Sequence, residues 1–261
     1  MKLAAPTTRR AGARSRQGGV PTTLPPAPTT DASATHQPPL PLVEAEPARS
    51  RRKVLPGVVH VPAWLELAAQ QALVNDFRRW ALPPAGLRHP RVPTGHLMSV
   101  QSVCLGWHWQ PYAYTRTADD TDGAPVKPLP PEIVELARAA VRTAYGGADR
   151  EAAAYTPDAA IVNLYAPGAR LGLHQDGEEP SAAPVVTISL GDTCVFRLAG
   201  VDRRTGPFTD IEMRSGDLLV FGGPSRRIYH GVPKVLPGTA PRGLGLPPGR
   251  LSITVRETGL S

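Results

Sequence analysis

The sequence predicts an α+β fold in which helices pack outside a β sandwich or barrel. Three observations predict it. Two apolar stripes at helical spacing lie in the first part of the chain, between Leu65 and Ala144. Beyond Ala159 the chain becomes a series of short β-rich runs broken by Gly, Pro and Asp. Residues 1–53 show neither pattern. Helices first and strands later suit helices laid against a β core. A length of 261 residues is enough for one such domain and a tail.

The tail, residues 1–53, is rich in Pro, Ala, Thr and Arg and nearly free of aromatics. It cannot bury enough apolar surface to offset its ordering entropy, so it is expected to be disordered. The fold is then expected over residues 54–261. Net charge divides the same way. The chain carries +7, of which the tail holds nine Lys/Arg against three Asp/Glu, whereas residues 54–261 hold 20 basic and 19 acidic side chains. The basic excess belongs to the tail. It reads either as a solvated leader or as a source of salt-sensitive phosphate affinity.

Past the boundary, Gly57-Val-Val-His-Val61 reads as a strand, and Pro62 as the opening of a helix. Leu65, Ala68, Ala69, Ala72, Leu73, Phe77 and Trp80 form its stripe, and Pro83-Pro84 ends it. A second helix starts at Pro130-Pro131-Glu132, carries Ile133, Leu136, Ala140, Val141 and Ala144, and stops at Gly146-Gly147. Strands are expected at Ala160–Tyr165, Val185–Leu190, Thr193–Leu198, Asp217–Phe221 and Leu251–Arg256. There is no internal repeat. No apolar run is long enough to cross a bilayer, and the N-terminus lacks the compact apolar segment of a secretory signal. Two cysteines, Cys104 and Cys194, cannot build a disulfide framework. The expectation is a soluble cytoplasmic monomer.

Chemistry enters at Leu171-Gly-Leu-His-Gln-Asp176. On an extended backbone, positions i and i+2 project to one side, so His174 and Asp176 can reach one ion. His230, in Arg227-Ile-Tyr-His230, is the candidate third ligand. Two imidazoles and a carboxylate on one face of ferrous iron leave positions open for a co-substrate and dioxygen. Zinc is the second fit, since it usually takes a fuller shell. Taken singly, His174 and Asp176 read equally as surface residues, and His230 as a satisfied core histidine.

The last strand bears on this choice. Period two puts Leu251, Ile253 and Val255 on one face and Arg250, Ser252, Thr254 and Arg256 on the other. Facing water, the second face would be unremarkable chemistry. Turned inward, its two guanidinium groups need anions, and a dicarboxylate supplies two. Asn163 and Tyr165, also i and i+2, could complete the hydrogen bonding of such a carboxylate, or could simply face water at a strand end.

Taken together these segments resemble the AlkB family of iron(II)- and 2-oxoglutarate-dependent dioxygenases. The resemblance rests on Asn163-Leu-Tyr-Ala-Pro-Gly-Ala-Arg-Leu-Gly-Leu-His-Gln-Asp176, Val186-Thr-Ile-Ser-Leu-Gly191, Ser215-Gly-Asp-Leu-Leu-Val-Phe-Gly-Gly223, Ser225-Arg-Arg-Ile-Tyr-His-Gly231 and Arg250–Arg256. Weaker similarity through Met98-Ser-Val100 and Leu105-Gly-Trp107 extends it to about residues 55–261. It implies a double-stranded β-helix (jelly-roll) core and Fe(II) held by His174, Asp176 and His230. It implies 2-oxoglutarate held by Asn163, Tyr165, Arg250, Ser252 and Arg256, with Arg250 and Tyr165 on the distal carboxylate. It further implies a flipped base stacked on Trp107 and met by Glu178, with Tyr112 and Arg203 touching the nucleic acid. The implied reaction removes a methyl group from 1-methyladenine or 3-methylcytosine in DNA, a direct-reversal repair, releasing formaldehyde, succinate and carbon dioxide. The rivals are the same chemistry on RNA, protein or a metabolite, and a catalytically silent binding jelly roll.

Four departures stand out. Ser252 replaces an asparagine of the family, and Glu178 is one methylene longer than the usual aspartate. The stretch from Met98 to Trp107 is shorter. Trp109 has no counterpart, and reads as either a stacking platform or lid packing.

Overall fold

The computed structural model describes residues 49–146 and 154–261, so most of the expected tail, residues 1–48, and Gly147 lie outside the described residues. The first strand, β1, runs over Arg52–Leu55 and pairs with β2, Val58–Val61. The fold therefore takes in the residues just before the expected boundary. Arg49 already makes a two-pronged ion pair with buried Asp217 at 2.8 and 3.0 Å. That carboxylate also accepts from His60 Nε2 and the Ala63 and Arg214 amides.

Helix α1 covers Leu67–Trp80, five residues later than Pro62 suggested, because Pro62–Glu66 form turns. Its buried stripe also differs from the expected one. Gln70, Leu73, Val74, Phe77 and Trp80 face the core, whereas Ala68, Ala69 and Ala72 face solvent. A polar residue tops the buried stripe because its amide is fully engaged. Gln70 Oε1 accepts from Ser215 Oγ at 2.6 Å, and Nε2 donates to Leu65 O at 2.7 Å. Helix α2 covers Pro131–Tyr145, with Gly146 at φ 100° closing it as expected.

The strands fall into two main sheets. Beyond β1 and β2 they are β3 (Gln101–Leu105), β4 (His108–Gln110), β5 (Ala113–Thr115), β6 (Ala159–Tyr165), β7 (Leu171–His174) and β8 (Val185–Gly191). Then come β9 (Thr193–Leu198), β10 (Thr209–Met213), β11 (Leu218–Phe221), β12 (His230–Leu236) and β13 (Arg250–Arg256). A seven-stranded sheet has the order β1-β2-β11-β8-β13-β6-β3, and a four-stranded sheet the order β10-β9-β12-β7. Every pairing between these strands is antiparallel. The crossovers between the sheets give the jelly roll, with β4 and β5 as a separate hairpin. The strands β1, β3, β4, β5, β7 and β10 hold only three to five residues, too few for alternation to mark them, and the seven-residue β12 is interrupted by Gly231 and Pro233.

Two cores follow from this layering. Val162 of β6, Ile188 of β8, and Leu251, Ile253 and Val255 of β13 pack under Phe77 and Trp80 of α1 and Ile133 and Val141 of α2. The opposite face of the large sheet looks toward the small one, where Tyr165, Phe196, Leu198, Ile211, Phe221 and Val232 fill the jelly roll. The central strands β8 and β13 are consequently buried at every residue.

Ile253, fully buried in the outer core, offers a test of this packing. Ile253→Ala should lower unfolding free energy by about 2–5 kcal/mol, read as a shifted urea midpoint at unchanged slope.

Candidate metal centre

His230 opens β12 directly across from His174, the last residue of β7. Gly231 permits this approach. A Cβ there would sit 2.8 Å from Leu171 O and 2.9 Å from Gly172 O, so any side chain would push the two strands apart. The two imidazole centroids lie 4.4 Å apart. Asp176 lies two residues beyond His174, past the end of β7 in a segment without regular secondary structure. One ligand atom from each of His174, Asp176 and His230 falls within 4.8 Å of the others.

Each ligand is oriented for a cation. A carbonyl oxygen only accepts, so Gly172 O fixes the proton of His174 on Nδ1, at 3.0 Å. Ile228 O does the same for His230, also at 3.0 Å. Both Nε2 lone pairs then face inward, toward Asp176 oxygens 3.7 Å away. The His230 ring is stacked on Phe196 and tilted against Phe221. Burial, reinforced by the neighbouring His174, lowers its pKa to about 4, so it stays neutral and able to ligate.

Asp176 is buried, and its two oxygens have different fates. Oδ1 accepts from Arg256 Nη2 at 2.8 Å. Oδ2 is buried with no hydrogen-bond partner among the described residues. Burial alone would raise this carboxyl's pKa, but Arg256, then His230, hold it well below the usual carboxylate range. A charged, buried and unpartnered oxygen 3.7 Å from the His230 Nε2 lone pair, on a carboxylate that His174 Nε2 also faces, is incomplete without a cation. Ferrous iron fits this donor set.

The polar face of β13 is turned inward, which eliminates the solvent-facing alternative. Arg250 is 0% exposed, with Nε donating to Ser189 Oγ at 2.9 Å and Nη2 to Ser252 Oγ at 3.4 Å. Its Nη1 is buried and unpartnered among the described residues. Tyr165 presents its ring 5.0 Å from the guanidinium carbon. Asn163 and Ser252 face each other across β6 and β13. A buried guanidinium served only by hydroxyls still needs a counter-anion, which suits a carboxylate of 2-oxoglutarate.

Arg256 is occupied differently. Besides Asp176 it binds Glu179 Oε1 at 2.7 Å and the Tyr114 hydroxyl at 3.0 Å. Glu179 is buried and also accepts from Tyr114 and from Arg226. Sequence reasoning singled out Glu178 and missed Glu179, which carries the network. The available signal was two consecutive acids beside a ligating carboxylate, where a buried one must find cations.

The residues expected to touch substrate are scattered. Trp107 is only 6% exposed, its Nε1 donates to Asp158 at 3.1 Å, and the Arg116 guanidinium lies 3.3 Å from its ring centroid. Gly106 makes that placement possible at φ +79°, since a Cβ would lie 1.9 Å from Asp158 O. Tyr112 sits at the tip of the β4–β5 hairpin, 76% exposed at φ 73°, a left-handed conformation costing a tyrosine about 1–3 kcal/mol. Arg203 is exposed, and Glu178 half-buried. Trp109 is half-buried on β4, its N–H donating to Cys104 Sγ and its carbonyl accepting from Arg88.

Comparison with known proteins agrees with this geometry. The family model for the 2OG-Fe(II) oxygenase superfamily matches residues 57–256. The alpha-ketoglutarate-dependent dioxygenase AlkB homolog of Caulobacter vibrioides is 37% identical over 212 residues, spanning 78% of this chain and 89% of that protein. The chain belongs to the AlkB family of iron(II) and 2-oxoglutarate oxygenases. The DNA N(6)-methyladenine demethylase ALKBH1D of Arabidopsis thaliana is 34% identical over 231 residues, covering 81% of this chain. This chain spans about half of that relative's length. The solved structure of OsALKBH1 superimposes with a TM-score of 0.66 at 31% identity, covering 79% of this chain and 100% of that one. As an AlkB-family protein, the chain has iron(II) as its metal, with 2-oxoglutarate and dioxygen as co-substrates.

Two outcomes test the centre. His174→Ala should abolish ferrous-ion binding in an anaerobically loaded sample, with metal-free stability changed by no more than about 1 kcal/mol. The second concerns pH. An unfolded histidine titrates near 6.5 and folded His230 near 4, so the unfolded chain binds the extra proton between these values. Stability of the metal-free protein should therefore rise with pH across that window and be lost on acidification through it. Denaturant melts across the window should show this slope, and His230→Gln should flatten it.

Proposed function

We propose that this AlkB-family protein oxidatively demethylates alkylated bases in nucleic acid, with 1-methyladenine- and 3-methylcytosine-type lesions in DNA as its substrates. The observation carrying the reading is a pair of complementary buried deficits, one on Arg250 and one on the carboxylate held by Arg256 from the same face of β13. Asp176 Oδ2 lacks a cation and Arg250 Nη1 lacks an anion. Iron(II) and a dicarboxylate supply both.

Iron(II) held by His174, Asp176 and His230 would supply the activation of dioxygen, and 2-oxoglutarate would supply the electrons on its way to succinate and carbon dioxide. The protein's part is placement. Arg250, with Tyr165 beside it, would hold the distal carboxylate, and Arg256 braces Asp176 so that its other oxygen is left free for the metal. Phe196, Phe221 and Leu198 keep the His230 side of the cavity apolar and dry. After the methyl group is hydroxylated, the hemiaminal releases formaldehyde and the base is restored.

The base class is argued from Trp107. Arg116, a planar delocalised cation, already lies on its ring. Bases methylated at the pairing edge, such as 1-methyladenine and 3-methylcytosine, are planar cations at neutral pH and suit the same face once Arg116 swings aside. They are also cheaper to extrude from a duplex, because their pairing edge is blocked. Stacking there contributes about 1–3 kcal/mol per base.

Purified protein with ferrous iron, 2-oxoglutarate and an oligonucleotide bearing 1-methyladenine should release formaldehyde, with the repaired base seen by mass spectrometry. Parallel oligonucleotides with N6-methyladenine, and RNA versions of each, discriminate the substrate. Turnover confined to RNA or to N6-methyladenine would replace the DNA-lesion reading. Arg250→Ala should remove turnover by abolishing 2-oxoglutarate binding while iron still binds.

A further inference from the structure

One rung of the large sheet is polar across four adjacent strands. Ser189 on β8, Ser252 on β13, Asn163 on β6 and Ser102 on β3 are direct cross-strand neighbours in that order. They share the inward face, the one that carries Arg250. Ser189 and Ser252 engage two of that guanidinium's three nitrogens. Neither serine leaves a side-chain amide to complete the cradle. The donor must come from Asn163.

An amide is ambivalent, since its oxygen and nitrogen ends have nearly the same shape. With the oxygen turned toward a carboxylate it would repel the ligand; with the nitrogen turned there it would bind it. In the structure Ser102 takes the oxygen end. Its Oγ–H donates to Asn163 Oδ1 at 2.6 Å, which holds the oxygen toward β3 and leaves the Nδ2 hydrogens without a partner among the described residues. Ser102 is 0% exposed, so no water competes for its hydroxyl. Its backbone is pinned as well. Ser102 N donates to Arg88 O at 2.7 Å, while Arg88 N and Nη1 both donate to Ser102 O.

We propose that Ser102 is a positioning residue for 2-oxoglutarate, acting through Asn163 by fixing which end of the amide faces the co-substrate. The inference rests on the proposed use of this cavity for 2-oxoglutarate.

The test is calorimetric titration of 2-oxoglutarate into anaerobic, iron(II)-loaded protein, comparing wild type, Ser102→Ala, Asn163→Ala and the double variant. Ser102→Ala should weaken binding about tenfold, equivalent to about 1.4 kcal/mol. It should cost nothing further in the Asn163→Ala background, because its effect passes through that amide. In turnover assays the KM for 2-oxoglutarate should rise while kcat is kept. Unchanged affinity in Ser102→Ala, or an equal loss in both backgrounds, overturns the proposal. Should Ser102→Ala fail to fold, Asn163→Asp keeps an acceptor for Ser102 but removes the amide donors. It should then weaken binding at least tenfold, and wild-type affinity in that variant overturns the proposal equally. Wild-type protein that binds no 2-oxoglutarate sinks the functional reading itself, whereas wild-type binding with an indifferent Ser102→Ala sinks this inference alone.

Discussion

Strand β13 is buried on both faces, yet only one of them is apolar. Leu251, Ile253 and Val255 meet the helices and gain the usual hydrophobic free energy of burial. The other face takes Arg250 and Arg256 out of water, and charges in that position must be compensated or the fold pays heavily. The jelly roll meets this demand in two ways. Arg256 is matched inside the protein by Asp176 and Glu179. Arg250 is left with hydroxyls, so its compensation has to arrive as a ligand. Protein stability and co-substrate recognition thus share one strand.

The same logic governs the metal centre. Asp176 gives Oδ1 to the Arg256 guanidinium and leaves Oδ2 for the metal it would hold, and burial prevents either oxygen from settling for water. Because Arg256 also binds Tyr114, the β4–β5 hairpin is tied to the ligand set through a chain of charge-assisted hydrogen bonds. The base of that hairpin is fastened separately, where Arg88 and His108 converge on Asp120. Its tip remains exposed and carries Tyr112 in a strained conformation. The hairpin thus joins an exposed tip to the metal centre through one intermediary, Arg256, which holds both Tyr114 and Asp176.

Alternation along residues 250–256 determined that β13 has one apolar and one polar face, because period-two patterning is a local property of the chain. The i, i+2 relation of His174 and Asp176, the stop at Gly146 and most of the long strands were legible for the same reason: each depends on residues a few positions apart. Helix α1 was legible as an element but not in its details. Alanines tolerate water, and a glutamine can be buried once Ser215, 145 residues away, supplies its partner.

Only the tertiary structure decided which way the polar face of β13 points, since that depends on a second sheet closing over it. Likewise, no local pattern places His230 opposite His174, divides the two oxygens of Asp176, or selects Glu179 over its neighbour Glu178. Those outcomes are set by strand crossovers and by the need to balance buried charge among residues far apart in sequence. Local periodicity therefore determined the ligands and faces this protein possesses. Long-range closure of the jelly roll, through the cost of leaving a charge unpaired in a dry interior, decided what each of them binds.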